Sequence, residues 1–262
     1  GECKMVRPRH AWLRAMPIAV AVLAIVAGGA AATTIAYIVH TPGVGGASRS
    51  AIRLMNIETG ETRILVEFER ASGLDASADG RRLVCTTGKR ANTHLTLIDA
   101  RTGAFERLRR EHELGVYNVP RFSPSGDELL YNYAQPAGAA YAVKLLDLRT
   151  RNSTWLTPRG FKAWEPDWSP DGSQIVLVKN DPRKLYRDLH VMPAEGGEAR
   201  NLTFWLEHDE EPAWSPDGRE IAFMRVSKLG RRVATYDVAS GDVRELTDHT
   251  FEAFRPSWSP DG

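Results

Sequence analysis

Two cysteines in 262 residues, Cys3 and Cys85, are too few for a disulfide framework or a multi-cysteine metal site. Burial and strand pairing must hold the fold. A charge surplus is also missing: 34 Lys and Arg stand against 33 Asp and Glu, a net charge of +1. No long-range field gathers phosphate backbones or anionic membranes, so partners must be found by local surfaces. The usual catalytic signatures are absent too, with no Gly-x-Ser-x-Gly elbow, no His-Glu-x-x-His and no phosphate-cradling loop followed by Lys-Ser/Thr. What remains, 42% hydrophobic and 26% charged, is ordinary globular composition.

A fourth absence is local. From Ala15 to Ser48 there is no Lys, Arg, Asp or Glu, and Pro17 to Val39 is almost continuously apolar. At a rise of 1.5 Å per residue this run would reach roughly 34 Å as a helix, enough to cross a bilayer core. Lys4, Arg7, Arg9 and Arg14 precede it and only Glu2 opposes them, which by the positive-inside rule keeps the amino terminus in the cytoplasm. The sequence thus predicts a basic cytoplasmic segment over 1–16, a transmembrane signal-anchor helix over 17–39 and a flexible Gly/Ser/Pro linker over 40–50. Residues 51–262 would then lie outside, periplasmic or extracellular. A cleaved secretory signal, with Ala30-Ala31-Ala32 as the small-residue site, is the competing reading.

The remainder is a repeat. Ser77-Ala78-Asp79-Gly80, Ser123-Pro124-Ser125-Gly126, Ser169-Pro170-Asp171-Gly172, Ser215-Pro216-Asp217-Gly218 and Ser259-Pro260-Asp261-Gly262 start 46, 46, 46 and 44 residues apart. So regular a period marks one structural unit repeated. Trp168, Trp214 and Trp258 directly precede the last three turns, with Phe122 in the second unit. The tetrapeptide is turn chemistry: Pro presets φ, Asp suits the next position and Gly takes the left-handed end. A short aliphatic run follows each turn, then a second hairpin such as Leu97-Ile98-Asp99-Ala100-Arg101-Thr102-Gly103, and the unit closes on Leu108, Leu156, Leu202 or Leu246.

Four antiparallel strands in about 46 residues, in tandem, predict an all-β chain, a β-propeller of four-stranded blades. The Trp/Phe-Ser-Pro-Asp-Gly repeat resembles that of the TolB-type propellers, found also in the propeller domains of prolyl-oligopeptidase-like peptidases. The resemblance covers residues 51–262 and implies six or more blades in a full ring. About 4.5 are present, since residues 52–68 match only a second hairpin and the chain ends after a first strand. Ahead of its propeller TolB carries an α/β domain, whose place here is taken by the linker.

In a blade the first strand lines the central channel, so residues just before each Trp or Phe gather at one mouth. By alignment these are Tyr117, Asn118, Trp164, Glu165, His208, Asp209, Glu210, Glu211, Phe254 and Arg255. Such a set suits a peptide end, a sugar or a cation such as Ca²⁺ held by carboxylates. Trp168, Trp214 and Trp258 read as packing between blades, and Asp171, Gly172, Asp217, Gly218, Asp261 and Gly262 as turn structure. The function implied is a membrane-anchored binding scaffold with a protein or peptide partner and no nucleic acid, non-catalytic in these residues. Two alternatives stay open: the propeller of a membrane-bound prolyl-oligopeptidase-like serine peptidase whose hydrolase domain lies beyond Gly262, or an extracytoplasmic sensor domain.

Overall fold

The computed structural model describes residues 23–26, 34–41, 49–89, 92–108, 115–135, 141–180, 186–248, 255–259 and 261–262. Strands fall into five four-stranded antiparallel sheets, each built from consecutive strands. Blade 1 holds β1 (Leu23–Val26), β2 (Thr34–Thr41), β3 (Arg49–Asn56) and β4 (Thr62–Phe68). Blade 2 holds β5 (Ala71–Ala76), β6 (Arg82–Lys89), β7 (Asn92–Asp99) and β8 (Phe105–Leu108). Blade 3 holds β9 (Val116–Phe122), β10 (Glu128–Ala134), β11 (Ala142–Asp147) and β12 (Ser153–Trp155). Blade 4 holds β13 (Ala163–Trp168), β14 (Gln174–Asn180), β15 (Arg187–Pro193) and β16 (Arg200–Asn201). Blade 5 holds β17 (His208–Trp214), β18 (Glu220–Ser227), β19 (Gly230–Asp237) and β20 (Val243–Glu245). The first strands β5, β9, β13 and β17 touch one another in sequence and form the inner wall.

Two turn devices recur. Between the first and second strands, Ser169 Oγ donates to Asp171 Oδ1 at 2.6 Å while accepting the N–H of Gln174 at 2.9 Å. The same Ser–Asp bond forms at Ser77–Asp79 and Ser215–Asp217. These bonds hold the Asp171 carboxyl down at about 2, the Ser169 hydroxyl contributing most. Between the third and fourth strands, Asp99, Asp147 and Asp237 each accept two backbone N–H groups, two and three residues on, with Asn56 doing so in blade 1. Gly60, Gly103 and Gly241 supply the positive φ that ends this turn, and in blade 3 Arg151 adopts φ 60° in the glycine's place.

The core lies between blades. Trp168 packs with Leu130 and Val143 of blade 3 and Ile175 and Met192 of its own blade. Trp214 does the same across the next boundary with Val176, Val178 and Leu189. Each such aliphatic side chain contributes about 1.5–3 kcal/mol on burial. Cys85, fully buried between blades 1 and 2, has its thiol pushed up to about 12 by burial and is a packing residue.

The amino-terminal expectation is corrected where the described residues reach it. Thr34 pairs with Asn56 and Thr41 with Arg49, so the end of the expected helix and the start of the expected linker are a blade strand. Ala36 and Ile38 are fully buried against Leu74, Leu83 and Ile98. An apolar run suits a membrane helix and a strand buried on both faces equally well, and only the presence of pairing partners decides between them. β1, itself within the expected helix, and β3 are those partners, so the propeller begins before residue 51. Residues 1–22 and 27–33 lie outside the described residues. Among the described residues no helix is long and apolar enough to cross a membrane.

Candidate functional site

Each inner strand is interrupted at the same place. Register shifts fall between Ser72 and Asp75, between Leu130 and Asn132 opposite Val119, between Trp164 and Asp167, and between Glu210 and Ala213. At each bulge one residue takes a left-handed conformation: Gly73 (φ 58°), Val119 (48°), Glu165 (53°) and Glu211 (54°), joined by Arg255 (52°) ahead of the last Trp. Four of the five precede proline, which lacks an N–H and steers the preceding residue away from the right-handed helical region. Bulges re-aim side chains, and non-glycine residues at positive φ mark positions whose orientation matters.

What they aim at is the neighbouring blade and the channel. Glu165 Oε2 accepts the backbone N–H of Glu211 at 2.8 Å, and Glu211 Oε2 accepts that of Arg255 at 2.5 Å. Two residues further along, a second tier repeats the device: Asp75 accepts the N–H of Phe122 at 2.8 Å and Asp167 that of Trp214 at 2.9 Å. Arg121 occupies this tier in the blade between them, its Nε 3.7 Å from Asp167 Oδ1. Burial raises the Asp167 carboxyl to about 6 against the opposing pull of Arg121, and raises Asp75 in the same way. Glu165 is also raised, first by burial and further by the nearby Glu211 carboxylate.

Together these residues line a channel of about 940 Å³, reached also by Asn118 and by His40 of β2. Four carboxyl groups, Asp75, Glu165, Asp167 and Glu211, face two guanidinium groups, Arg121 and Arg255, so the chamber suits a ligand of net positive charge.

Of the residues read from sequence, Asn118, Glu165, Glu211 and Arg255 line the channel. The others are placed elsewhere. Tyr117 is buried, stacked at 5.6 Å on Tyr131 and edge-on to Tyr133. Trp164 lies under the Arg187 guanidinium at 5.4 Å, and Arg187 also pairs with Glu210. His208 Nδ1 accepts the Arg187 N–H at 3.2 Å, and burial with Arg187 lowers its proton affinity. Asp209 is fully buried and holds Arg225 through two bonds, at 2.8 and 3.1 Å. The run His208 to Glu210 is thus absorbed into blades 4 and 5. Phe254 lies outside the described residues. Trp258 Nε1 donates to Ala213 O at 3.0 Å, and the Gly262 N–H closes its turn on Ser259 O at 3.0 Å. Sequence reading missed Asp75, Arg121 and Asp167, although each stands two positions after a bulge residue and was reachable from the repeat.

Among the described residues no three His, Cys, Asp or Glu side chains are grouped as metal ligands would be, and the channel carboxylates already accept backbone N–H groups.

The same architecture occurs in solved structures. TolB from Acinetobacter baumannii superposes with a TM-score of 0.70 at 21% identity, over 86% of this chain and 54% of that one. A putative TolB from Agrobacterium tumefaciens gives 0.70 at 22%, over 82% and 75%. A prolyl endopeptidase gives 0.57 at 14%, over 86% of this chain and 36% of its own length. The present chain therefore spans about half the length of the Acinetobacter protein. Identities this low show the fold alone, but the regular bulges, Ser-Pro-Asp-Gly turns and inter-blade Trp agree with a broader match: the family model of the TolB beta propeller domain fits residues 29–262, and the chain belongs to that family.

Proposed function

We propose that this chain is a non-catalytic binding module that takes a cationic segment of a protein partner into the mouth of its channel, and that it works outside the cytoplasm. The observation that carries the reading is the acidic excess of the channel, where Asp75, Glu165, Asp167 and Glu211 outnumber Arg121 and Arg255. TolB-type propellers are scaffolds of the protein-binding kind, which supports the same reading. Export is supported by Lys4, Arg7, Arg9 and Arg14 ahead of a charge-free stretch. With Leu23–Val26 and Thr34–Thr41 both in blade 1, any membrane or signal element must end before Leu23.

The test is titration of the full chain with short peptides rich in Lys or Arg and with the same peptides after lysine acetylation, followed by calorimetry. Saturable binding that weakens with salt and is lost on acetylation is the expected result. Equal binding of both forms, or none, overturns the channel reading. Alkaline phosphatase fused after Gly262 checks export, since it would be active only outside the cytoplasm.

A further inference from the structure

Among the described large apolar side chains, the most exposed gather at one end of blade 5. Leu206 is 80% exposed and Leu229 74%, with Trp205 at 54% beside them. Trp205 and Leu206 lie on the loop leading into β17, and Leu229 at the tip of the β18–β19 hairpin. His208 pairs with Val226, so both loops leave the sheet at the same end. Arg232 ties them together, bonding Glu207 at 2.7 Å and Ser227 Oγ at 3.3 Å. The Trp205 ring is held against Arg225 at 5.3 Å, with half its surface left open.

Their surroundings are cationic. The neighbouring loops and strand ends of blades 4 and 5 carry Arg159, Lys162, Lys179 and Lys228, while Arg187 is paired with Glu210 and Glu207 is engaged by Arg225 and Arg232. Aromatic rings lie among the cations: Lys179 Nζ stands 4.2 Å over Phe161 and Arg187 5.4 Å over Trp164. β1 also begins at this end of the blades, so the chain before Leu23, uncharged back to Ala15, joins the fold from that side.

We propose that this end of blades 4 and 5 is a lipid-docking surface, with Trp205, Leu206 and Leu229 seated at the headgroup–acyl boundary of a bilayer and Lys162, Lys179 and Lys228 over anionic headgroups. Apolar tips ringed by Lys, Arg and amphipathic aromatics are the chemistry of an interfacial contact. A nucleic acid would make no use of the two leucines. The surface is separate from the channel and stands whatever the channel binds.

The test uses the full chain with Cys3→Ser, carrying an environment-sensitive fluorophore on Leu206→Cys, Leu229→Cys or, at the opposite end of blade 5, Arg219→Cys. Vesicles are phosphatidylcholine with or without phosphatidylglycerol. The expected result is a blue-shifted, several-fold brighter emission at 206 and 229, stronger with phosphatidylglycerol, quenched by spin-labelled acyl chains and absent at 219. In the unlabelled chain, Leu206→Ser with Leu229→Ser weakens vesicle binding at least about tenfold. Water-like emission at 206 and 229 on both vesicles overturns the proposal, as does an equal response at 219. A shift at 206 that grows with protein concentration and needs no vesicles assigns the surface to a second copy of the chain instead.

Discussion

The Glu165 carboxylate accepts the backbone N–H of Glu211, one repeat further along, at 2.8 Å. The donor sits in a bulge and has no strand partner at that point, so removal of the acceptor leaves it orphaned. Glu165→Ala is expected to cost about 1–3 kcal/mol in urea unfolding at neutral pH, and Glu165→Gln much less because its amide oxygen still accepts. Equal losses for the two variants would show that the negative charge, not the acceptor, is what matters.

The bulge positions make a second prediction through the backbone. Val119 is β-branched and held at φ 48°, a conformation costly for any side chain and more so for this one. Val119→Gly should raise stability by about 1 kcal/mol, strain relief exceeding the added freedom of the unfolded chain. At the equivalent Gly73, φ is 58° and an added Cβ would lie 3.2 Å from Pro120 Cδ, so Gly73→Ala should lower stability. Thermal melts of the two variants moving in the same direction would contradict this.

Asp167 makes stability depend on pH. Its carboxyl ionises near 3.8 when unfolded and at about 6 in the fold, so the native state holds an extra proton between those values. The group's contribution is complete below the lower value and is lost as pH rises through the upper one. Asp167→Asn cannot titrate, so its stability relative to the parent should climb across that window, by at most about 3 kcal/mol. Denaturant midpoints near pH 4 and pH 7.5 measure the difference, and a constant offset would assign the pH dependence elsewhere.

Asp209 is the residue whose loss should be felt most. It is fully buried and paired with Arg225, itself buried. Asp209→Ala would leave that buried guanidinium only the more distant Glu207, at 3.6 Å, at a cost of about 3–5 kcal/mol, and Asp209→Ala with Arg225→Met should recover much of it. A double variant as unstable as the single one would mean that Asp209 acts through other partners, such as Thr203.

The blade repeat was legible because turn chemistry is local. Ser169, Asp171 and Gly172 satisfy one another within a few residues, so their spacing alone predicts the turn. Strand β2 was not, because Ile35 to Val39 suits two environments and only β3, about ten residues later, shows which applies. In the channel, Glu165, Glu211 and Arg255 could be placed by alignment to the repeat. Asp209 was misplaced because alternation along β17 turns it into the blade, towards Arg225 on β18, while its neighbours face elsewhere. Asp167 and Arg121 escaped notice because their pairing crosses a blade boundary, where sequence distance carries no signal.

The link from Glu165 to Glu211 spans 46 residues, one full repeat. Insertion or deletion of a whole repeat leaves every acceptor facing a donor, whereas a single extra residue in an inner strand slides that blade's own donor and acceptor off their partners; the 44-residue link from Glu211 to Arg255 shows that the segments between inner strands absorb such changes. Length is therefore quantised along the inner wall: descendants of this chain can gain or lose whole blades, or residues in the outer loops, far more readily than residues within an inner strand.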